Sequence, residues 1–385
     1  MLSNRNFSFT LPQNVSFGVG GIRQLPDKLK TMGIKKVLVV SDPGIAKSGL
    51  VNKITNILTD GEIDYVSFLE VESDPSSEVV LRAAELYKNS GAQATVCVGG
   101  GSSLDCGKVL SVVAKYGGHP DDYEGKDKIP GPIAPLFAIP TTAGTGSEVT
   151  PFAVVTSKNN VKMTIAGPHI LPTVSILDPE VITTLPFSVA APTCLDALTH
   201  AIEAYLSLAG SPFSDILAES AIELIGKSIR PFVANRSNIE AASGMMLGST
   251  YAGLAFALAR VGNIHGMTHP LGGIFHLTHG IAISAVILSV LKFNAMAVPE
   301  KYETIYRKFK GGGHSFNNFC PQMLVDEIES LLIDLKLPTR LSQVGIKESD
   351  LTMLAEETLR QTTLHTINPR ATTLKDMEDI YRLAL

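Results

Sequence analysis

Residues 194–205 read CLDALTHAIEAY, which sets Asp196 and His200 four positions apart in a run that is otherwise mostly apolar. At 3.6 residues per turn such a pair lies one above the other on a helix face, so a carboxylate and an imidazole converge on one point. A charged group on a core-facing stripe needs a partner, and by itself the pair reads as an Asp–His ion pair. A second segment adds to it. His265, His269, His276 and His279 all fall within GNIHGMTHPLGGIFHLTHG at 262–280. Imidazole and carboxylate together suit divalent metals such as Fe, Zn, Mn or Co. The segment has no thiolate, which excludes a cysteine-type structural zinc site. His269, before Pro270, also fits a helix entry, and His276 a loop histidine, so membership of the ligand set stays open on spacing alone. His119, His169, His314 and His365 stand alone in polar surroundings and read as structural or solvent-facing.

Two glycine-rich segments suggest a second chemistry. GGGSSLDCGK at 99–108 follows an apolar strand pattern and opens a helical one. Glycines there let backbone N–H groups approach an anion, and the helix N-terminus favours negative charge, so a diphosphate is the natural occupant. PTTAGTGSEVT at 140–150 also follows a strand and brings Thr141, Thr142, Ser147 and Thr150 to the same sheet edge. Asp42, in SDPG, suits either a ribose diol or the N-cap of the following helix.

These groups need elements to carry them. Up to about residue 186, β-branched runs such as KKVLVVSDPG (35–44), ATVCVGGGSS (94–103) and PLFAIPTTAG (135–144) alternate with helical stretches. That βα repetition implies a largely parallel sheet, with ligands at the carboxyl ends of its strands. From 187 onward the pattern is helical. We therefore expect an α/β domain over 1–186 and an all-helical domain over 187–385. A length of 385 residues fits two domains. The composition, 45% hydrophobic and 18% charged with mean hydropathy +0.21, is that of a compact globular protein. A net charge of −5 argues against nucleic acid and anionic membranes as partners. The apolar run at 281–291 is too short to span a bilayer and reads as a core helix. No signal-peptide pattern opens the chain, and the four cysteines form no C-x-x-C, so a reduced, cytoplasmic setting is expected.

Over essentially its whole length the sequence resembles the iron-containing, or group III, alcohol dehydrogenases. GGGSSLDCGK, PTTAGTGSEVT, DALTHAIEAY, HGMTHPLGG, THG and the NPR at 368–370 carry the resemblance. It implies an α/β dinucleotide-binding domain followed by a helical domain, with NAD(H) and a divalent metal, usually Fe(II). The family's metal ligands fall on Asp196, His200, His265 and His279. Its cofactor contacts fall on Asp42, Gly99, Gly100, Gly101, Ser102, Asp105, Thr141, Thr142, Thr150 and Lys162. His269 matches a histidine near the substrate, a proton relay.

The implied reaction interconverts a small primary alcohol or diol and its aldehyde, with His269 and His279 as the catalytic histidines. Three imidazoles and one carboxylate leave positions open on the metal for the substrate oxygen. The related dehydroquinate-synthase and glycerol-dehydrogenase group differs in its ligand strings. A nucleotide- or metal-binding structural protein is the non-enzymatic alternative. The resemblance further implies a homodimer or higher homo-oligomer. Departures from the family pattern are Cys194, Leu258 and Arg260, the latter two in AFALARVG. Phe256 and Arg260 are candidate substrate residues. An arginine there favours an anionic aldehyde, such as a semialdehyde or sulfoacetaldehyde, as an alternative substrate.

Overall fold

A computed structural model describes residues 14–159, 161–311, 318–361 and 363–385. The chain forms two compact units that meet in sequence at Leu185 and Pro186. The first is α/β. Its strands are β1 (Asn14–Phe17), β2 (Lys36–Val40), β3 (Asp64–Phe68), β4 (Ala94–Gly99), β5 (Gly125–Lys126), β6 (Leu136–Pro140), β7 (Phe152–Thr156), β8 (Lys162–Ala166) and β9 (Val174–Leu177). Its helices are α1 (Leu25–Thr31), α2 (Pro43–Lys47), α3 (Leu50–Asp60), α4 (Ser77–Ser90) and α5 (Gly101–Tyr116).

Six strands build one parallel sheet in the order β1-β9-β6-β4-β2-β3. The central strands β4 and β6 are buried at every residue, which is why ATVCVG and LFAIP are continuous apolar runs rather than alternating ones. From β2 the chain steps outward to β3 and then returns to the other side of β2 as β4. Strand order therefore reverses between β2 and β4, and in open parallel sheets such a reversal is where ligands bind, at the carboxyl ends of the strands. A smaller sheet, β5-β8-β7, pairs β7 with β8 antiparallel.

The second unit is helical. It comprises α6 (Phe187–Leu206), α7 (Pro212–Ala234), α8 (Ile239–Ala259), α9 (Asn263–Phe275), α10 (His279–Asn294), α11 (Pro299–Phe309), α12 (Pro321–Asp334), α13 (Leu351–Gln361) and α14 (Leu374–Ala384). Helix α6 is buried at nearly every residue from Ala190 to Leu206, so it is the central rod on which α7, α8 and α10 pack. Helices α7 and α8 lie close because α8 offers glycine where they meet. A Cβ on Gly248 would sit 2.7 Å from the Ile225 side chain. Among the described residues α8 alone has the length and apolarity to cross a membrane, and it packs against α6 and α7.

Candidate functional site

Helix α6 carries Asp196 and His200 on its buried face, α9 carries His265 in its first turn, and His279 is the first residue of α10. One atom collects them. Asp196 Oδ1 lies 3.4 Å from His265 Nε2, 3.5 Å from His279 Nε2 and 3.7 Å from His200 Nε2. Asp196 Oδ1 and His265 Nε2 are buried without a hydrogen-bond partner. Such orphaned atoms are costly in a folded core. The spacings are too long for hydrogen bonds, yet they match the ligand-to-ligand edge, about 3.4 Å, of a tetrahedral site with bonds near 2.1 Å. Asp196, His265 and His279 satisfy the spacing of a metal triad outright. His200 joins them through Asp196. The donor set, three imidazoles and a carboxylate, fits a divalent metal.

Charge follows the same geometry. Burial alone would raise the Asp196 carboxyl, but the imidazoles of His200, His279 and His265 hold it well below the usual carboxylate range. Burial opposes a charge on His265, yet Asp196 and Glu203 flank its ring and raise it to about 9. A metal entering this site therefore competes with a proton.

Packing aims the ligands. His200 is sandwiched between Phe256, at 4.2 Å between ring centroids, and His265, at 4.5 Å. Gly280 lets α10 reach α6, since a Cβ there would lie 2.5 Å from the Pro192 carbonyl oxygen. The glycine of THG thus sets how near His279 comes to Asp196. His269 lies four residues beyond His265 on α9 and is exposed. His276 ends α9 in the left-handed conformation, with φ 56, and is exposed. Arg260 follows α8 with φ 62, and its N–H donates to the Phe256 carbonyl. Its neighbour Ala259 accepts a hydrogen bond from Ser207 Oγ, so the Arg260 backbone is level with the end of α6 rather than with His200.

In the α/β unit, Asp42 follows β2, Gly99 ends β4 with Gly100, Gly101 and Ser102 after it, and Thr141 and Thr142 follow β6, all at carboxyl ends of the sheet. Asp42 is the N-cap of α2: Oδ1 accepts from Ile45 N at 3.0 Å, and Oδ2 accepts from Ser103 Oγ at 3.3 Å. The two loops interlock, for a Cβ on Gly101 would lie 2.9 Å from the Thr145 side chain. The Thr141 hydroxyl is buried without a partner. Asp105 is turned inward: Oδ1 accepts from Ser147 Oγ at 2.6 Å and Oδ2 from Val154 N at 2.9 Å.

Beside Asp105, Lys108 is fully buried and donates to Ser147 Oγ, the Thr150 carbonyl and the Phe152 carbonyl at 2.9, 3.0 and 2.6 Å. Burial pushes Lys108 down to about 8, against the pull of Asp105 and Glu148. Lys162, at the start of β8, is exposed and pairs with Asp74 at 2.8 Å. Sequence reasoning missed Lys108, Glu203 and Gly280 as parts of these sites. Their only sequence signal is an unusual neighbour: a lysine inside an apolar helix run, a glutamate one turn after His200, and a glycine beside a ligand.

A parallel α/β unit with anion-ready loops, together with a helical unit whose Asp196, His265 and His279 could hold a metal ion, is the architecture expected of an enzyme that uses a nucleotide cofactor and a metal. The profile described as iron-containing alcohol dehydrogenase matches residues 12–179, and that of the Fe-containing alcohol dehydrogenase family C-terminal domain matches residues 190–385. The chain belongs to the iron-containing alcohol dehydrogenase family and is an oxidoreductase.

It is 35% identical over 387 residues to the 1,3-propanediol dehydrogenase of Citrobacter freundii, covering 100% of both chains. It is 33% identical to the NAD-dependent methanol dehydrogenase of Bacillus methanolicus, with 98% of this chain and 100% of the relative covered. A solved 1,3-propanediol oxidoreductase superposes with a TM-score of 0.94 at 34% identity, covering 99% of this chain and 100% of that one.

Proposed function

We propose that this protein interconverts a small primary alcohol or diol and its aldehyde, using NAD(H) and a divalent metal held by Asp196, His200, His265 and His279. Fe(II) is the expected ion, and zinc satisfies the same donors. The observation that carries the reading is the single carboxylate oxygen, Asp196 Oδ1, facing three imidazole nitrogens at 3.4–3.7 Å with no hydrogen bond. When bound, the metal supplies Lewis-acid stabilisation of the developing alkoxide and NAD the hydride acceptor.

The chain's own groups arrange the rest. Residues 187–385 fix the four donors, with Phe256 bracing His200 from behind. His269, exposed on the helix that carries His265, exchanges the substrate proton with water. Residues 1–186 hold the cofactor. The start of α5, at Gly99, Gly100, Gly101 and Ser102, faces the diphosphate, Thr141, Thr142 and Thr150 line the second loop, and Lys162 and Asp42 hold ribose hydroxyls. Asp105 serves the same loop. The setting is cytoplasmic, with neither nucleic acid nor membrane as partner, and the assembly is a homodimer or larger. Edge strand β1 supports that assembly, because it leaves Val15 and Phe17 exposed.

The test is NADH oxidation with a panel of aldehydes by metal-depleted protein reloaded with Fe(II) or Zn(II). Turnover should require metal and vanish in His279→Ala and Asp196→Asn, with bound metal reduced and the fold retained. Full activity in metal-depleted His279→Ala protein would overturn the assignment. The alternative substrate is an anionic aldehyde, with Arg260, exposed just after α8, as the residue that would bind its carboxylate or sulfonate.

A further inference from the structure

Glu203 lies one turn past His200 on α6 and is buried. Its carboxylate accepts three bonds from the start of α9: Ile264 N at 2.7 Å on Oε1, and His265 N at 3.3 Å and His265 Nδ1 at 2.5 Å on Oε2. An anion is well placed at that helix N-terminus. The Nδ1 contact also directs the ring: with the Nδ1 proton held by Glu203, the proton that a metal displaces is the one on Nε2. That is the nitrogen facing Asp196.

A second layer seats the carboxylate. A Cβ on Gly262 would lie 3.1 Å from Glu203 Oε1 and 3.2 Å from Asn368 Oδ1, so both oxygens sit over the open face of this glycine and a side chain there would displace them. Asn368 exchanges amide hydrogen bonds with Asn294, at the end of α10, at 3.0 and 2.8 Å. Arg370 donates to the Phe293 carbonyl at 2.8 Å and lies over the Phe293 ring. Asn263, the first residue of α9, donates to Thr372 at 2.9 Å. The NPR motif and the residues just after it therefore tie the start of α9, which carries His265, to the C-terminal end of α10, the end opposite His279.

We propose that Glu203, seated by Gly262 and Asn368, is a positioning residue that fixes the tautomer and direction of His265 and so sets metal affinity, with the NPR motif as its anchor. The inference rests on the metal-site reading above. Outer partners of metal-bound histidines act in this way by orienting the ring and raising its basicity, and their loss weakens binding about 10–100-fold.

The test titrates Co(II) into metal-free wild type, Glu203→Gln and Asn368→Ala, following visible absorption and competition with a chelator. Glu203→Gln should weaken Co(II) about 10–100-fold and shift the visible spectrum, and Asn368→Ala should weaken it less. NADH binding by the same proteins should stay at the wild-type level, which a general loss of structure would not allow. Co(II) affinity and spectrum within twofold of wild type in Glu203→Gln overturn the proposal. Should that variant not fold, Gly262→Ala takes its place: the added methyl displaces the carboxylate, and unchanged Co(II) affinity in the folded variant is equally fatal. Wild type that binds no Co(II) would defeat the metal site itself, an outcome distinct from failure of the positioning role.

Discussion

Asp42 has two roles that one substitution separates. As an N-cap it accepts from Ile45 N, and replacing an N-cap aspartate by glycine costs only a few tenths of a kcal/mol. As a cofactor residue its charge would repel a 2′-phosphate. Asp42→Gly should therefore leave the melting temperature nearly unchanged while lowering the NADH over NADPH ratio of kcat/KM by about tenfold, equivalent to about 1.4 kcal/mol. Equal use of both cofactors by wild type would remove Asp42 from the cofactor site. Arg260 is decided in the same way. If its guanidinium recruits an anion, Arg260→Ala should reduce kcat/KM for succinic semialdehyde at least tenfold and spare propanal. Loss of both together, or of neither, would leave Arg260 without a substrate role. Its backbone, at φ 62, is strained for a non-glycine residue, so Arg260→Gly should also be no less stable than wild type.

At the scale of elements, the site depends on how closely helices and loops approach. The methyl group of Gly280→Ala would meet the Pro192 backbone at 2.5 Å, and a backbone oxygen cannot swing aside as a long side chain would. Helix α10 must then move off α6, taking His279 away from Asp196. The expected result is at least a tenfold loss of metal affinity and a destabilisation of about 1–3 kcal/mol. Metal titration and urea unfolding measure the two effects, and wild-type metal affinity would refute the account.

In the α/β unit, Lys108 reaches from α5 to Ser147, Thr150 and Phe152. Lys108→Met leaves Asp105 without its neighbouring cation, 3.8 Å away, and should cost about 3–5 kcal/mol by urea unfolding. It should also weaken NADH binding, because the loop bearing Thr141, Thr142 and Thr150 loses its anchor. Lys108→Arg keeps the charge in a fork of different shape and should not restore the binding.

For the whole molecule, the division at Leu185 and Pro186 puts every proposed cofactor residue in one unit and every proposed metal ligand in the other. NADH should therefore bind metal-free protein, and His279→Ala, with affinity within a few-fold of wild type by fluorescence titration. Loss of NADH binding on metal removal would show that the α/β unit does not carry the cofactor site alone. Light scattering should return a mass of at least twice 41.0 kDa.

The order of elements, α/β first and helices after, is legible in the sequence because periodicity is local: apolar runs ending in glycine make buried parallel strands, and long apolar helical stretches make α6, α8 and α10. The motifs were legible too, since ligands four residues apart on a helix must share a face, and a glycine-rich turn opening a helix must present N–H groups. What the tertiary structure decided is which groups meet. Glu203 and His265 are 62 positions apart, and Lys108 and Phe152 are 44 apart. His276, which spacing alone left open as a ligand, ends α9 in the left-handed conformation and is exposed. Asp105 and Asp42, read from sequence as cofactor groups, have both carboxylate oxygens engaged within the protein. The physical reason is that propensity and spacing act over a few residues. The partner that satisfies a buried charge, and the backbone that leaves room only for glycine, come from wherever packing brings distant chain segments together.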